Sequence, residues 1–70
     1  MNNDVRTYRE DRELTQGDLA AAVDVTRQTI NSIERGRYNP SLELAFDLAA
    51  FFDCRIEDLF EPTASSQVDE

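Results

Sequence analysis

Apolar residues recur along this chain at the spacing of an amphipathic helix. They lie three or four positions apart in every segment long enough to judge, as expected when one face of a helix packs on a core. No segment alternates apolar and polar positions as a half-buried strand would. The pattern therefore predicts an all-α fold with five helices, at residues 3–12, 15–23, 27–35, 41–52 and 56–60.

Local signals mark the ends of these helices. Three hydroxyl residues stand where helices begin, and they are typical N-caps: Thr15, Thr26 and Ser41. Asp18 follows Thr15 by three residues, which predicts a capping box. Gly36 follows the third helix, where a left-handed residue commonly ends a helix. The inward positions are predicted to be Val5, Tyr8, Leu19, Ala20, Val23, Ile30, Ile33, Leu42, Ala45, Leu48, Ala49 and Phe52.

Length and composition limit the organisation of the chain. Seventy residues are enough for one domain with a modest core. We assign residues 1–60 to that domain and expect the small, polar, acidic residues 61–70 to be a disordered tail. The sequence has no apolar run long enough to span a membrane, and its charged start lacks a signal-peptide core. These features favour a cytoplasmic protein without a membrane partner.

The residue types present exclude several kinds of chemistry. Histidine is absent and Cys54 is the single cysteine, so we expect neither a metal site nor an internal disulfide. The sequence also lacks a glycine-rich phosphate loop and a nucleophile with a neighbouring base. We therefore expect no enzymatic activity, no cofactor and no small-molecule ligand, and we interpret Cys54 as a small, half-buried filler.

Charge is distributed unevenly along the chain. Fifteen acidic residues face seven basic residues, all of them arginine, and the net charge is −8. Such acidity normally disfavours a polyanionic partner. Residues 26–40, however, hold Arg27, Arg35 and Arg37 against one acid, Glu34, so positive charge is concentrated around the third helix. An acidic, lysine-free composition also resembles that of cytoplasmic proteins from salt-accumulating organisms, in which molar salt shortens the Debye length to about 3 Å.

The second and third predicted helices are joined by a very short turn, which is the arrangement of a helix-turn-helix. The outward positions of the third helix are polar and suited to the edges of bases in a major groove. The segment VTRQTINSIERGRYNPSLELA, within a match over residues 4–60, resembles the Cro/phage-repressor, or Xre-type, helix-turn-helix regulators. The resemblance implies a compact five-helix bundle that binds double-stranded DNA sequence-specifically as a transcriptional regulator, expected to be a repressor. Its recognition helix would be residues 27–35.

The resemblance also assigns roles to individual positions. Arg27 and Gln28 stand where base contacts begin, and Asn31 and Ser32 follow one turn later, where they could contact DNA or face solvent beside the groove. Expected phosphate contacts are Gln16, Thr26, Arg35, Arg37, Tyr38 and Asn39. Arg9 and Glu34 match a pair that forms an internal salt bridge in relatives. Family members often have glycine just beyond three helix ends where this chain has Glu13, Asp24 and Asp53.

Self-association and a partner protein are both considered. Family members commonly dimerise through their C-terminal half, so we expect a homodimer. Phe46, Phe51 and Phe60 are core residues by default, but Leu44 and Phe51 lie on a separate flank of the fourth helix that is suited to self-association. An alternative is an interaction module, such as an antitoxin or adaptor that binds a toxin or another partner protein. The short tail has a single large apolar residue, Val68, and this disfavours that alternative.

Overall fold

The computed structural model describes residues 2–61, which form five helices and two short strands. The elements are β1 (Asn2–Asn3), α1 (Val5–Asp11), α2 (Gln16–Ala22), α3 (Arg27–Glu34), α4 (Leu42–Phe52), α5 (Ile56–Leu59) and β2 (Phe60–Glu61). The predicted five-helix fold is confirmed. Within residues 2–61, no helix is both long and apolar enough to cross a membrane. The predicted disordered tail lies outside the described residues, apart from Glu61, whose backbone belongs to β2.

The predicted hydroxyl caps begin the helices that position the site. Thr15 Oγ1 accepts the amide of Asp18 at 2.9 Å, and the Asp18 carboxylate accepts the amide of Thr15 at 3.0 Å. In this reciprocal capping box the pKa of Asp18 is lowered, because its carboxylate accepts hydrogen bonds from Thr15, first from the backbone amide and then from the side chain, and these favour the charged form. Thr26 and Ser41 cap α3 and α4 in the same way, accepting amides at 3.2 Å. The start of each of these helices is therefore determined by a local side chain.

The core lies where one face of each helix meets the others. Seven side chains are essentially sealed from solvent: Val5, Leu19, Ile30, Ile33, Leu48, Phe52 and Leu59. Ala20 is also buried, and its small side chain leaves room for α2 and α3 to pack closely. Most of the predicted inward positions are thus in the core.

Four positions on α4 correct the prediction. Leu42, predicted to face inward, is 70% exposed, while Leu44, assigned to a self-association flank, is buried. Phe46, a core residue by default, is 57% exposed, and Phe51, which was placed in the core by default and alternatively on that flank, is 41% exposed. The buried face of α4 is centred on Leu48 and Phe52. With 3.6 residues per turn, Leu42 falls at the edge of this face and Phe46 and Phe51 fall beyond its two sides.

A small antiparallel ladder joins the two ends of the described chain. Asn2 pairs with Glu61 and Asn3 with Phe60. The predictions that the first helix starts at residue 3, that the fifth includes residue 60 and that no strand forms were therefore wrong. Strands of two residues are too short to show an alternating pattern. Phe60 is buried beside this ladder, in agreement with its expected place in the core.

Asn3 links three elements at this point and was missed from the sequence. Its Oδ1 accepts the amide of Val5 at 3.1 Å, and its Nδ2 donates to the carbonyl of Ile33 at 2.8 Å. The same side chain therefore supports the start of α1 and the last turn of α3. Asparagine is common at helix starts, but the contact with Ile33 depends on a residue thirty positions away.

Three acidic residues adopt the left-handed backbone conformation. Glu13, Asp24 and Asp53 have φ values of 58°, 61° and 57°. These are the positions at which the resemblance led us to expect glycine, which adopts this conformation without steric cost. Aspartate is enriched there among non-glycine residues, whereas glutamate is not. The helix ends therefore keep the left-handed backbone that glycine would provide. Glu13 is the residue type least suited to this backbone conformation of the three.

Candidate nucleic-acid interface

The helix-turn-helix is built from α2, a four-residue turn at 23–26 and α3. The amide of Val25 donates to the carbonyl of Ala20 at 2.9 Å, and the Val25 side chain packs against the core. Ile30 and Ile33 hold the inner face of α3 in that core. The opposite face of α3 is consequently turned toward solvent.

The four predicted base-contacting residues lie on this outer face. Arg27 and Gln28 are exposed, and Asn31 and Ser32 are partly buried one turn later. Gln16, Arg27, Gln28 and Asn31 line one shallow depression. A second depression is lined by Thr26, Gln28, Thr29, Ser32 and Tyr38. Gln28 lines both depressions, so the fold brings Gln16 of α2, the predicted residues of α3 and Tyr38 of the following loop onto one surface.

The end of α3 presents the remaining predicted phosphate contacts. The amide of Gly36 donates to the carbonyl of Ile33 at 2.9 Å, and the amide of Arg37 donates to Ser32 at 3.0 Å. This pair of bonds is a Schellman motif, and it requires the left-handed residue Gly36, with φ 74°. The exposed residues carried by this turn are Arg35, Arg37, Tyr38 and Asn39. They lie at and beyond the C-terminal end of α3, whereas Thr26 caps its start and Gln16 lies alongside it.

A buried ion pair lies behind the outer face of α3. Arg9 Nε donates to Glu34 Oε2 at 2.7 Å, and Arg9 Nη2 donates to Glu34 Oε1 at 3.2 Å. The side chains of Arg9 and Glu34 are only 11% and 4% exposed. The hydrogen bonds with Glu34 raise the pKa of Arg9. The one acid of residues 26–40 is thus withdrawn from the surface and paired with an arginine.

Gln16 extends this ion pair toward the outer face. Its Nε2 donates to Glu34 Oε1 at 3.0 Å, and its Oε1 accepts from Asn31 Nδ2 at 3.4 Å. The sequence assigned Gln16 to phosphate and Asn31 to DNA, but it did not predict that the two side chains interact. Their separation of fifteen residues becomes a contact only when α2 packs across α3.

Similar proteins share this architecture and sequence. A helix-turn-helix family model matches residues 5–59. An HTH-type transcriptional regulator of Methanocaldococcus jannaschii is 53% identical over 60 residues, which cover 86% of this chain and 91% of that protein. The structure is also similar to the restriction-modification controller protein C.AhdI from Aeromonas hydrophila (TM-score 0.73, 32% identity, 80% of this chain and 85% of that one). The SOS-response transcriptional repressor LexA from Eubacterium rectale gives a TM-score of 0.75 at 27% identity, over 79% of this chain and 58% of that one.

The geometry and these similarities agree. The family model matches residues 5–59, which is nearly all of the described domain. The matched residues include the outer face of α3, the short turn before it and the ion pair behind it. This chain belongs to the Xre-type, or Cro/phage-repressor, helix-turn-helix family of DNA-binding transcriptional regulators.

Proposed function

We propose that this chain represses transcription by placing α3 in the major groove of an operator. The observation that carries the proposal is the surface around Gln28, on which Arg27 and polar side chains from α2, α3 and the following loop converge while the side chain of Glu34 is withdrawn and paired. This local surface explains how a chain of net charge −8 can approach a polyanion. A repressor needs only to occupy its operator, and a small DNA-binding domain suffices for that.

Base contacts are assigned to the exposed half of α3. Arginine pairs bidentately with guanine and glutamine with adenine in the major groove, and each such pair contributes about 1–3 kcal/mol of discrimination. Arg27 and Gln28 are at the start of α3, where helix-turn-helix proteins make base contacts. Asn31 and Ser32 extend the same face by one turn.

Phosphate contacts are assigned to the two ends of this surface. Gln16 and Thr26 would bind one stretch of backbone, and Arg35, Arg37, Tyr38 and Asn39 would bind a second. Each phosphate that a protein neutralises steepens the fall of log K with log salt by about 0.9. With only three arginines in residues 26–40, we expect a shallower salt dependence than that of a strongly basic repressor.

The proposal is tested by fluorescence anisotropy with DNA from upstream of the protein's own gene and a scrambled duplex, from low to molar KCl. Arg27→Ala and Gln28→Ala should each reduce selective binding by about 5- to 150-fold, because each removes a base contact. Arg6→Ala is the matched control, since Arg6 is an exposed arginine on α1 and its loss should leave selectivity unchanged. Absence of selective binding by the folded wild-type protein at every salt concentration would contradict the proposal for this operator.

We further propose that the regulator acts as a homodimer assembled through α4. Leu42 and Phe46, about one turn apart, expose apolar surface on one side of this helix, and Phe51 exposes apolar surface on the other, in the C-terminal half of the domain. A two-fold dimer would bind two half-sites about one helical turn of DNA apart. Glu43 and Asp47 are exposed on the same helix, so salt should strengthen the association by screening their repulsion.

Sedimentation equilibrium measured across KCl concentrations tests the dimer. We expect a dimer that tightens as KCl rises, and Phe46→Ser should weaken it at least about tenfold by removing apolar contact area. Arg55→Ala serves as the control, because Arg55 is exposed but polar. A wild-type protein that stays monomeric at millimolar concentration in molar KCl would refute the dimer.

A further inference from the structure

A chain of hydrogen bonds runs from the buried ion pair to the outer face of α3 through the side chains of Glu34, Gln16 and Asn31. We call these three residues the amide relay. We propose that Gln16 is a positioning residue that fixes the side-chain amide of Asn31 with its carbonyl oxygen directed to the DNA. Asn31 would then select a base whose major-groove edge carries an amino group. This inference rests on the proposed docking of α3 and adds a specificity determinant to it.

The direction of each hydrogen bond follows from the chemistry of its partners. A carboxylate can only accept, so the Gln16 amide must turn its nitrogen toward Glu34, where Nε2 and Oε1 are 3.0 Å apart. The Gln16 oxygen is then directed away from Glu34. Because that oxygen can only accept, Asn31 must present its nitrogen, which lies 3.4 Å away. The negative charge of Glu34 therefore determines the orientation of two neutral amides that could otherwise flip.

The first member of the amide relay is held firmly. Arg9 donates two hydrogen bonds to Glu34 and a third to the carbonyl of Leu14, at 2.7 Å. Glu34 is almost fully buried, and Gln16 and Asn31 are partly buried. A side chain fixed in its binding geometry before DNA arrives loses less conformational entropy on binding. Asn31 is therefore preorganised, in contrast to the exposed Arg27 and Gln28 beside it.

The consequence for specificity is set by which Asn31 atoms remain available. One N–H of Asn31 is used by Gln16, which fixes the orientation of the amide and leaves its Oδ1 acceptor and one N–H for the groove. In the major groove adenine N6 and cytosine N4 are donors, whereas guanine O6 and thymine O4 are acceptors. A fixed carbonyl oxygen favours the two amino-bearing bases and opposes the other two. A freely rotating asparagine could present its nitrogen instead and would discriminate less.

DNA binding separates this role from a phosphate contact. A site is first selected from randomised duplexes with the wild-type protein, and the affinity for every single base-pair substitution is then measured. Asn31→Ala should reduce discrimination at one base pair of each half-site by about 5- to 150-fold. Gln16→Met, which keeps the length of the side chain and removes its amide, should lower the affinity for all duplexes equally through the lost phosphate contact and, in addition, reduce discrimination at that one base pair. The double variant, Gln16→Met with Asn31→Ala, should lose no more discrimination at that base pair than Asn31→Ala alone, because the effects of coupled residues are not additive.

Gln28→Ala is the control for coupling. Gln28 lines the same depression but is not a member of the amide relay, so its loss should affect another base pair and add to the effect of Gln16→Met. An equal loss of affinity for all duplexes in Gln16→Met, with full discrimination kept, would overturn the inference and leave Gln16 as a phosphate contact. If the wild-type protein shows no selectivity among duplexes, the proposed function itself is contradicted, and the inference that rests on it is contradicted too.

A spectrum of the DNA-free protein provides a readout that does not depend on the operator. The side-chain amide signals of Asn31 in a ¹⁵N–¹H correlation spectrum should be displaced from their solvent-exposed positions by the hydrogen bond to Gln16, and they should return to those positions in Gln16→Met. Gln28→Ala should leave them in place. Asn31 amide signals at solvent-exposed positions in the wild-type protein, or unchanged by Gln16→Met, would also overturn the inference.

Discussion

Glu34→Ala is expected to lower the free energy of unfolding by about 3–5 kcal/mol, because it leaves the Arg9 guanidinium buried without its anionic partner. The two groups are joined by hydrogen bonds of 2.7 and 3.2 Å, and Glu34 also accepts from Gln16. A domain of this size has a total stability of the same order. The variant should therefore be largely unfolded at room temperature, and urea denaturation followed by circular dichroism measures the loss.

An exposed ion pair in the same protein provides the control. Arg6 and Glu10 form an i, i+4 pair at 3.0 Å, with side chains 70% and 54% exposed. Exposed pairs of this kind contribute about 0.3–0.5 kcal/mol, so Arg6→Ala should change stability little. Replacing both buried partners, as Arg9→Met with Glu34→Leu, should recover much of the loss, since no unpaired charge then remains. A loss below about 1 kcal/mol for Glu34→Ala would show that water reaches Arg9 and that the pair is not a structural element.

Phe52→Ala is expected to cost about 3–5 kcal/mol, the range for removing a fully buried aromatic side chain. Phe52 is 1% exposed, and its ring lies 5.6 Å from the ring of Tyr8 and 5.0 Å from the guanidinium carbon of Arg12. Arg12 also donates to the backbone carbonyl of Phe52 at 2.9 Å, and this bond survives the substitution. The expected loss therefore comes from the cavity and the aromatic contacts that join α1 to α4.

The adjacent Phe51 provides a matched comparison. It has the same side chain on the same helix but keeps 41% of its surface exposed, and its ring contacts Phe52 at 5.2 Å. Phe51→Ala should cost about 1 kcal/mol, mainly through that aromatic contact. Urea denaturation of the two variants side by side measures the difference. Equal losses would mean that α4 is rotated from the orientation described here.

Several features of this protein could be predicted because their causes are local. The helix starts at Thr15, Thr26 and Ser41 depend on a side chain that reaches an amide three residues away. The inward faces of α2 and α3 follow from helical periodicity. The surface residues of α3 follow from the same period, since Ile30 and Ile33 must face the core. These local relations were sufficient for the fold and for locating the candidate interface.

Other features depend on partners that are distant in sequence. Periodicity correctly placed Phe52 on the buried side of α4, but only the packing of this helix decided that Leu42, Phe46 and Phe51 are exposed. The β1–β2 ladder joins residues almost sixty positions apart and is too short to leave a pattern. The link from Gln16 to Asn31 exists because α2 crosses α3 at that point.

The sequence by itself determined five helices, the N-caps of α2, α3 and α4 and the polar surface of α3, because these depend on interactions within one or two turns of the chain. The tertiary structure decided which aromatic residues fill the core, how the chain ends pair and how the charge of Glu34 reaches Asn31 through Gln16. The physical reason is that burial and long-range hydrogen bonding are properties of helices packed against each other. No single helix carries that information in its own sequence.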